Sequence, residues 1–284
     1  MATASTRQEG LDKFYTVPSV AKECLQKVGD NYSWDSWDLV LEPSAGNGSF
    51  FLQIPTFKKL GIDLVPEHSQ LQQHDFFAFV PSISGKILVV GNPPFGKVSS
   101  LAVKFFNHAA TFASVIAFIV PRTFRRRSIK NKLDLSFHLV QDIELPLEPC
   151  AFSPPMMAKC CFQIWEKSEQ KRGLQDLPLT HPHWTFLSYG PLDTNGQPTP
   201  PQNADFAIRA YGGNCGEICI LELDTLRPKS WHWIKASIDM NVLVQRFGSL
   251  DYSISQDTAR QNSIGRADLV LLYQEAFSDS LELS

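Results

Sequence analysis

The residues of this chain whose types could do chemistry together are Asn92-Pro93-Pro94-Phe95. The two prolines remove two backbone donors and fix two φ angles. Pro93 also pushes Asn92 toward an extended backbone. A side-chain amide, bare carbonyl acceptors and an aromatic ring are thereby held in fixed relation on a stiff loop. A second such stretch lies upstream, Glu42-Pro43-Ser44-Ala45-Gly46-Asn47-Gly48-Ser49-Phe50. Gly46 and Gly48 allow positive φ and the close approach of backbone to a ligand. No Lys follows, so this is not a P-loop, and no complete Gly-x-Gly-x-x-Gly is present.

Both loops need a scaffold. The apolar run 86–90 enters Asn92 as a buried strand, and residues 101–112 leave it as a helix. Residues 38–41 form the strand before the glycine turn, and an apolar helix is expected to start after Gly48. Residues 60–65 read as a short strand ending in Asp63, a carboxylate able to accept ribose hydroxyls from a strand tip. Residues 115–120 are continuously apolar, as in a central parallel strand buried on both faces. Further strands are expected at 139–145 and 158–165. Ahead of them, Val20, Ala21, Cys24, Leu25 and Val28 mark one helix face, with Thr16 as cap, Pro18 in the first turn and Gly29 at the end. This is an α/β pattern with a doubly wound, mostly parallel sheet, whose ligands bind at the C-terminal strand edge. The expected division is a flexible N-terminus 1–11, a ligand-binding domain 12–166, and a linker with a small β-rich part at 167–284. In that last part residues 185–187, 206–209, 218–221 and 231–234 read as strands and 267–277 as a helix.

Composition sets the bounds. The chain has 284 residues, 43% hydrophobic and 19% charged, with net charge −3, which gives no global attraction to nucleic acid. The absence of a long apolar run predicts no membrane span, and the polar N-terminus predicts no secretory signal, so a cytoplasmic or nuclear location is expected. The six cysteines form no Cys-x-x-Cys pair and read as reduced thiols; Cys160 and Cys161 point to opposite faces if they lie on a strand. Cys215, Cys219 and His232 lack the usual spacing and a fourth ligand, so no metal is expected. Arg122, Arg125, Arg126, Arg127, Lys130 and Lys132 crowd together after a strand tip, either as a solvated face or as phosphate contacts.

Taken together, the motifs resemble S-adenosylmethionine-dependent methyltransferases acting on planar nitrogens, above all N6 of adenine. The order aromatic-Thr-x-Pro, cofactor loop, Asn-Pro-Pro-Phe resembles the gamma arrangement of the DNA adenine enzymes, over residues 12–166. The resemblance implies a Rossmann-like class I methyltransferase fold with S-adenosyl-L-methionine as cofactor. It implies that Phe14, Tyr15 and Thr16 line the methionine end and that Glu42, Pro43, Ser44, Gly46 and Gly48 form the cofactor loop. Asp63 would take the ribose, Asp75 the adenine amine, and Phe76 would pack on the adenine ring. Asn92, Pro93, Pro94 and Phe95 would be catalytic, with Asn92 also at the cofactor. Phe95 would stack on the target base, flipped out of DNA, and Phe152 would either stack there too or anchor its loop. Arg122, Arg125, Arg126 and Arg127 would hold the substrate's phosphates. Arg209, Lys235, Arg246, Arg260 and Arg266, with Tyr211, Trp231 and Trp233, would form either a target-reading surface or the surface of a packed β domain. RNA methylation, protein glutamine methylation, which shares Asn-Pro-Pro, and a silent nucleic-acid-binding subunit remain as alternatives.

Overall fold

The computed structural model describes residues 14–277, so the segment 1–11 lies outside the described residues. The chain divides into two compact units: one runs to Arg125 and includes Ile129–Leu174, the other combines Arg126–Ser128 with the chain from Gln175 onward.

The first unit contains, in order, β1 (Tyr15–Thr16), α1 (Pro18–Asn31), β2 (Leu39–Glu42), β3 (Lys59–Asp63), β4 (Gln72–Gln73), β5 (Ile87–Gly91), α2 (Ser100–Ala110) and β6 (Val115–Pro121). The short helix α3 (Arg127–Lys130) bridges to β7 (Phe137–Glu144), β8 (Phe152–Ser153) and β9 (Cys160–Lys167). Seven strands form one sheet in the order β4-β3-β2-β5-β6-β9-β7. All its neighbours run parallel except β9, which slots antiparallel between β6 and β7. From β2 the order steps outward through β3 to β4, and from β5 the other way through β6. The switch point therefore lies between β2 and β5, whose tips carry Glu42 and Asn92. This is the expected doubly wound, Rossmann-like fold.

Burial explains why these runs are strands. Every residue of β5 and β6 is buried, and alternate residues serve opposite faces. Leu88 and Val90 join Val20, Cys24 and Leu25 of α1 on one side; Ile87 and Val89 join Phe105 and Phe106 of α2 on the other. Cys160 and Cys161 divide between these two cores in the same way.

Three local expectations are corrected. Thr16 does not cap α1, because its backbone pairs with Phe152 in a β1–β8 ladder; Val17 is the N-cap, without a side-chain bond. Gly29 lies inside α1 rather than ending it: a Cβ there would sit 2.9 Å from Trp34 Nε1, so the glycine makes room for an indole. The helix expected after Gly48 is a single 3₁₀ turn, Phe51–Gln53. Gly48 and Pro55 bracket too few residues to repay helix nucleation, and Pro55 disfavours helical backbone at Ile54.

The second unit has β10 (Trp184–Phe186), β11 (Phe206–Arg209), β12 (Ile218–Cys219), β13 (Trp231–Ala236), α4 (Met240–Gly248) and α5 (Arg266–Phe277). The strands form an antiparallel sheet in the order β10-β13-β11-β12. Leu243 and Phe247 of α4 and Leu269, Val270 and Tyr273 of α5 share a core with Trp184, Phe206 and Ile234. Helix α4 escaped the sequence reading, although Asp239 caps it by accepting from Val242 N at 3.0 Å. Among the described residues no helix is long and apolar enough to cross a membrane.

Candidate active site

Asn92 joins three separate motifs. Its Nδ2 donates to the Phe14 carbonyl at 3.2 Å, and its own carbonyl accepts from Ser44 Oγ at 3.2 Å. The N-terminal strand, the glycine loop and the Asn-Pro-Pro-Phe loop therefore meet at the switch point. Because a carbonyl can only accept, the amide nitrogen must face Phe14, which assigns Oδ1 to the other side. That Oδ1 is buried and has no hydrogen-bond partner, and the same holds for Thr16 Oγ1. Phe95 is half-buried against both cores of the unit, and its carbonyl accepts from Leu101 N at 3.2 Å, tying the loop to α2.

The glycine loop is held from both ends. Glu42 is buried and accepts the Phe51 N–H at 2.7 Å. Burial holds its carboxyl well above the usual range, partly offset by that hydrogen bond. Asp63 accepts from Gly46 N and from Val65 N, each at 2.8 Å. The Tyr15 ring covers Gly46, where φ is +50° and an added Cβ would lie 2.7 Å from Tyr15 Cε1. Tyr15 Oη donates to Glu67 Oε1 at 2.5 Å, and the Glu67 N–H returns to the Gly46 carbonyl at 2.9 Å. Glu67 was not singled out in the sequence; an exposed acid four residues past a strand tip carries no local signal. Burial, then the Glu67 bond, raises the Tyr15 phenol.

The environment is rich in acceptors. Glu42, Asp63 and Glu67 hold the loop, whereas the Lys59 ammonium is committed to the Phe51 and Ile54 carbonyls at 2.8 and 3.0 Å. The loop is followed by a 3₁₀ turn, so it lacks the helix N-terminus that holds a pyrophosphate. These donor and acceptor types suit a ligand bearing cationic groups, hydroxyls and amines, and no phosphate.

Two aromatic assignments are corrected. Phe76 is 2% exposed and packs on Phe105 at 5.0 Å and His108 at 4.7 Å, so no face of its ring is open to a cofactor. Its neighbour Phe77 keeps 42% of its surface exposed. The turn Phe76–Ala78, capped by Asp75 accepting from Phe77 N at 2.9 Å, decides which ring faces out. Phe152 is 3% exposed and belongs to the core, which answers the sequence alternative in favour of anchoring.

The basic run is also different from its expectation. Within the first unit Arg122 pairs with Glu144, and Arg125 with Asp142 at 2.6 Å and Glu144 at 3.4 Å. Within the second unit Arg126 reaches the Asp257 carbonyl at 2.7 Å and Asp268 at 3.3 Å, while Arg127 pairs with Glu275. Each arginine expected to hold phosphate already faces a carboxylate. The alternation Asp142-x-Glu144 on β7 carried the signal for two of these partners. Of the supposed reading surface, Arg209 pairs with Glu217 at 2.7 Å, Lys235 with Asp205 at 2.6 Å, and Trp231 and Trp233 are buried. His232 Nε2 meets the Ile264 carbonyl at 2.9 Å, and among the described residues no cluster is placed to hold a metal ion.

No family model matches this chain, and no curated protein does. Among solved structures, a Pyrococcus horikoshii protein proposed to be an RNA methyltransferase is 16% identical, over 56% of this chain and 89% of that one, with a TM-score of 0.42. A Listeria monocytogenes protein proposed to be a class I S-adenosylmethionine-dependent methyltransferase is 15% identical, over 55% and 61%, with a TM-score of 0.41. The magnesium protoporphyrin IX methyltransferase of Synechocystis, with bound S-adenosylmethionine, is 8% identical over 53% and 79%, with a TM-score of 0.40. Likeness of this degree transfers no activity.

Proposed function

We propose that the first unit is an S-adenosylmethionine-dependent methyltransferase acting on a planar exocyclic nitrogen, N6 of adenine in DNA, and that the second unit serves substrate recognition. The observation that carries this is the buried, unpartnered Asn92 Oδ1, held at the switch point on a loop stiffened by Pro93 and Pro94. The acceptor set fits the cofactor: Glu42 on the methionine side, Asp63 toward the ribose, Asp75 toward the adenine amine. When bound, S-adenosylmethionine supplies an electrophilic methyl on a sulfonium.

The chain's own residues make the amine reactive. An adenine amino nitrogen is a poor nucleophile because its lone pair is spread into the ring. Asn92 Oδ1 and the Pro93 carbonyl would accept hydrogen bonds from its two N–H groups out of the conjugated geometry, so that the lone pair localises. The N–CH3 bond would form as the sulfonium S–CH3 bond breaks, and the cationic nitrogen would then release one proton to water. Phe95 holds the ring. No strong base is needed before attack, and Asn92 cannot be one. Alignment of this kind supplies up to about 7–11 kcal/mol in the best cases. A base in a duplex must first be flipped out, at a cost of a few kcal/mol. RNA carries the same acceptor. The pairing of all four arginines favours, as a second reading, an amide nitrogen of a protein, which brings no phosphates.

The test is methyl transfer from labelled S-adenosylmethionine to duplex DNA, single-stranded DNA, RNA and a protein extract, with Asn92→Ala as control. N6-methyladenine formed by the wild type and lost in the variant is the expected result. Label in protein alone would move the assignment to the amide reading, and no transfer to any acceptor would refute both.

A further inference from the structure

A second gathering of titratable side chains lies in the second unit. His181 and His183 precede β10, Trp184 opens it, Arg246 lies on α4 and Tyr273 on α5. His181, His183, Trp184 and Tyr273 are all buried. The His181 ring stacks on Trp184 at 4.3 Å and meets His183 at 4.7 Å and Tyr273 at 4.8 Å.

The hydrogen bonds assign the protons. Arg246 donates to Tyr273 Oη at 3.0 Å, and a guanidinium can only donate. Tyr273 Oη also lies 2.9 Å from His183 Nδ1, which joins the two rings to the guanidinium. The His183 N–H donates to His181 Nδ1 at 3.2 Å, so His181 carries its proton on Nε2. That Nε2 is buried without an acceptor, and so is Trp184 Nε1. Buried donors left unmade are rare in native proteins. Among the described residues the charge is uncompensated as well. Arg126, Arg127 and Arg209 each face a carboxylate. Arg246 pairs with none among the described residues; its guanidinium lies over the Phe277 ring at 5.2 Å. Burial, His183 and Arg246 lower His181 to about 4, and burial with Arg246 lowers His183, so both rings are neutral and Arg246 is the cluster's cation at pH 7.

We propose that His181, His183, Trp184, Tyr273 and Arg246 form a binding site for an oxyanion of the phosphate class. Such a group supplies the acceptors that the buried N–H donors lack and the negative charge that Arg246 lacks. Water would meet only the first need, and a metal ion is opposed by the proton on His181 Nε2 and by the guanidinium. Free phosphate and the backbone phosphate of a nucleic acid share this chemistry. The site is independent of the methyl-transfer reading, since its residues and its readout lie outside the first unit.

The experiment is an NMR titration of the histidine ring C–H signals of the full-length protein with inorganic phosphate, against chloride at equal ionic strength. Saturable shifts at His181 and His183 are expected, with their pKa values rising by about one unit or more, as an apposed anion requires. Arg246→Gln, checked for folding by circular dichroism, should weaken binding by about tenfold or more, the size of a lost charge-assisted bond. A short oligonucleotide and its neutral methylphosphonate counterpart distinguish the sources. A response to the first alone identifies a backbone phosphate, and a response to inorganic phosphate alone identifies the free anion. If neither phosphate nor oligonucleotide moves these signals, or if folded Arg246→Gln responds like the wild type, the proposal is overturned.

Discussion

Asn92→Asp exchanges the amide nitrogen for oxygen with almost no change in shape, and it probes the orientation on which the site depends. The nitrogen donates to the Phe14 carbonyl at 3.2 Å. Losing that bond costs about 1 kcal/mol, and leaving an ionised oxygen against a buried carbonyl costs about 1–3 kcal/mol more. The total is about 2–4 kcal/mol, or a melting temperature lower by about 5–15 °C for a unit of this size. A proton on the new carboxyl restores a donor toward Phe14. The group is therefore favoured neutral in the folded state, with its pKa raised by about two units from an unfolded value of about 3.9. The deficit is absent below about pH 4, develops between about pH 4 and 6, and is complete above that window. The assay is thermal unfolding of variant and wild type across pH 3.5–8, read as the difference so that other groups cancel. Equal melting temperatures at pH 5 and pH 8 would mean that the nitrogen does not face Phe14. Oδ1 would then not be the free acceptor, and the orienting role assigned to it would fall.

Glu42→Gln keeps an acceptor for Phe51 N but removes a carboxyl held well above its ordinary range by burial. The wild type should lose stability as pH rises from the ordinary glutamate value through the raised folded one, and the variant should show a flatter melting profile over that window. Gly46→Ala places a Cβ 2.7 Å from Tyr15 Cε1 at φ +50°. It should cost about 1–2 kcal/mol in left-handed strain and weaken S-adenosylmethionine binding measured by calorimetry; unchanged affinity would separate the loop from the cofactor. Arg125→Gln breaks the pair with Asp142. It should lower stability while leaving the salt dependence of any nucleic-acid binding unaltered, whereas a slope smaller by about one would show that Arg125 contacts phosphate after all.

Much of the first unit was legible because its signals are local. Short, β-branched apolar runs bounded by Gly or Pro suit strands buried on both faces, which is how β5 and β6 sit. Proline and glycine restrict or free the backbone wherever they occur, so the stiff Asn92 loop and the Gly46 turn could be read directly. Even the split of Cys160 and Cys161 between two cores follows from strand period alone. What failed was whatever depends on a partner distant in the chain. Phe76 and Phe77 are the same residue type and both meet Phe105 and His108, so only the way the folded turn presents them decides which ring is buried. The arginine run looked like a cationic surface until β7 placed Asp142 seventeen residues away against Arg125. Thr16 has the chemistry of a helix cap but is taken by a ladder with Phe152. The sequence by itself therefore determined the strands, the turns and the chemical types at the switch point, because backbone sterics and burial act within a few residues. Tertiary structure alone decided which side chains remain free to act, because hydrogen bonds and ion pairs are satisfied by whichever group the fold brings within reach.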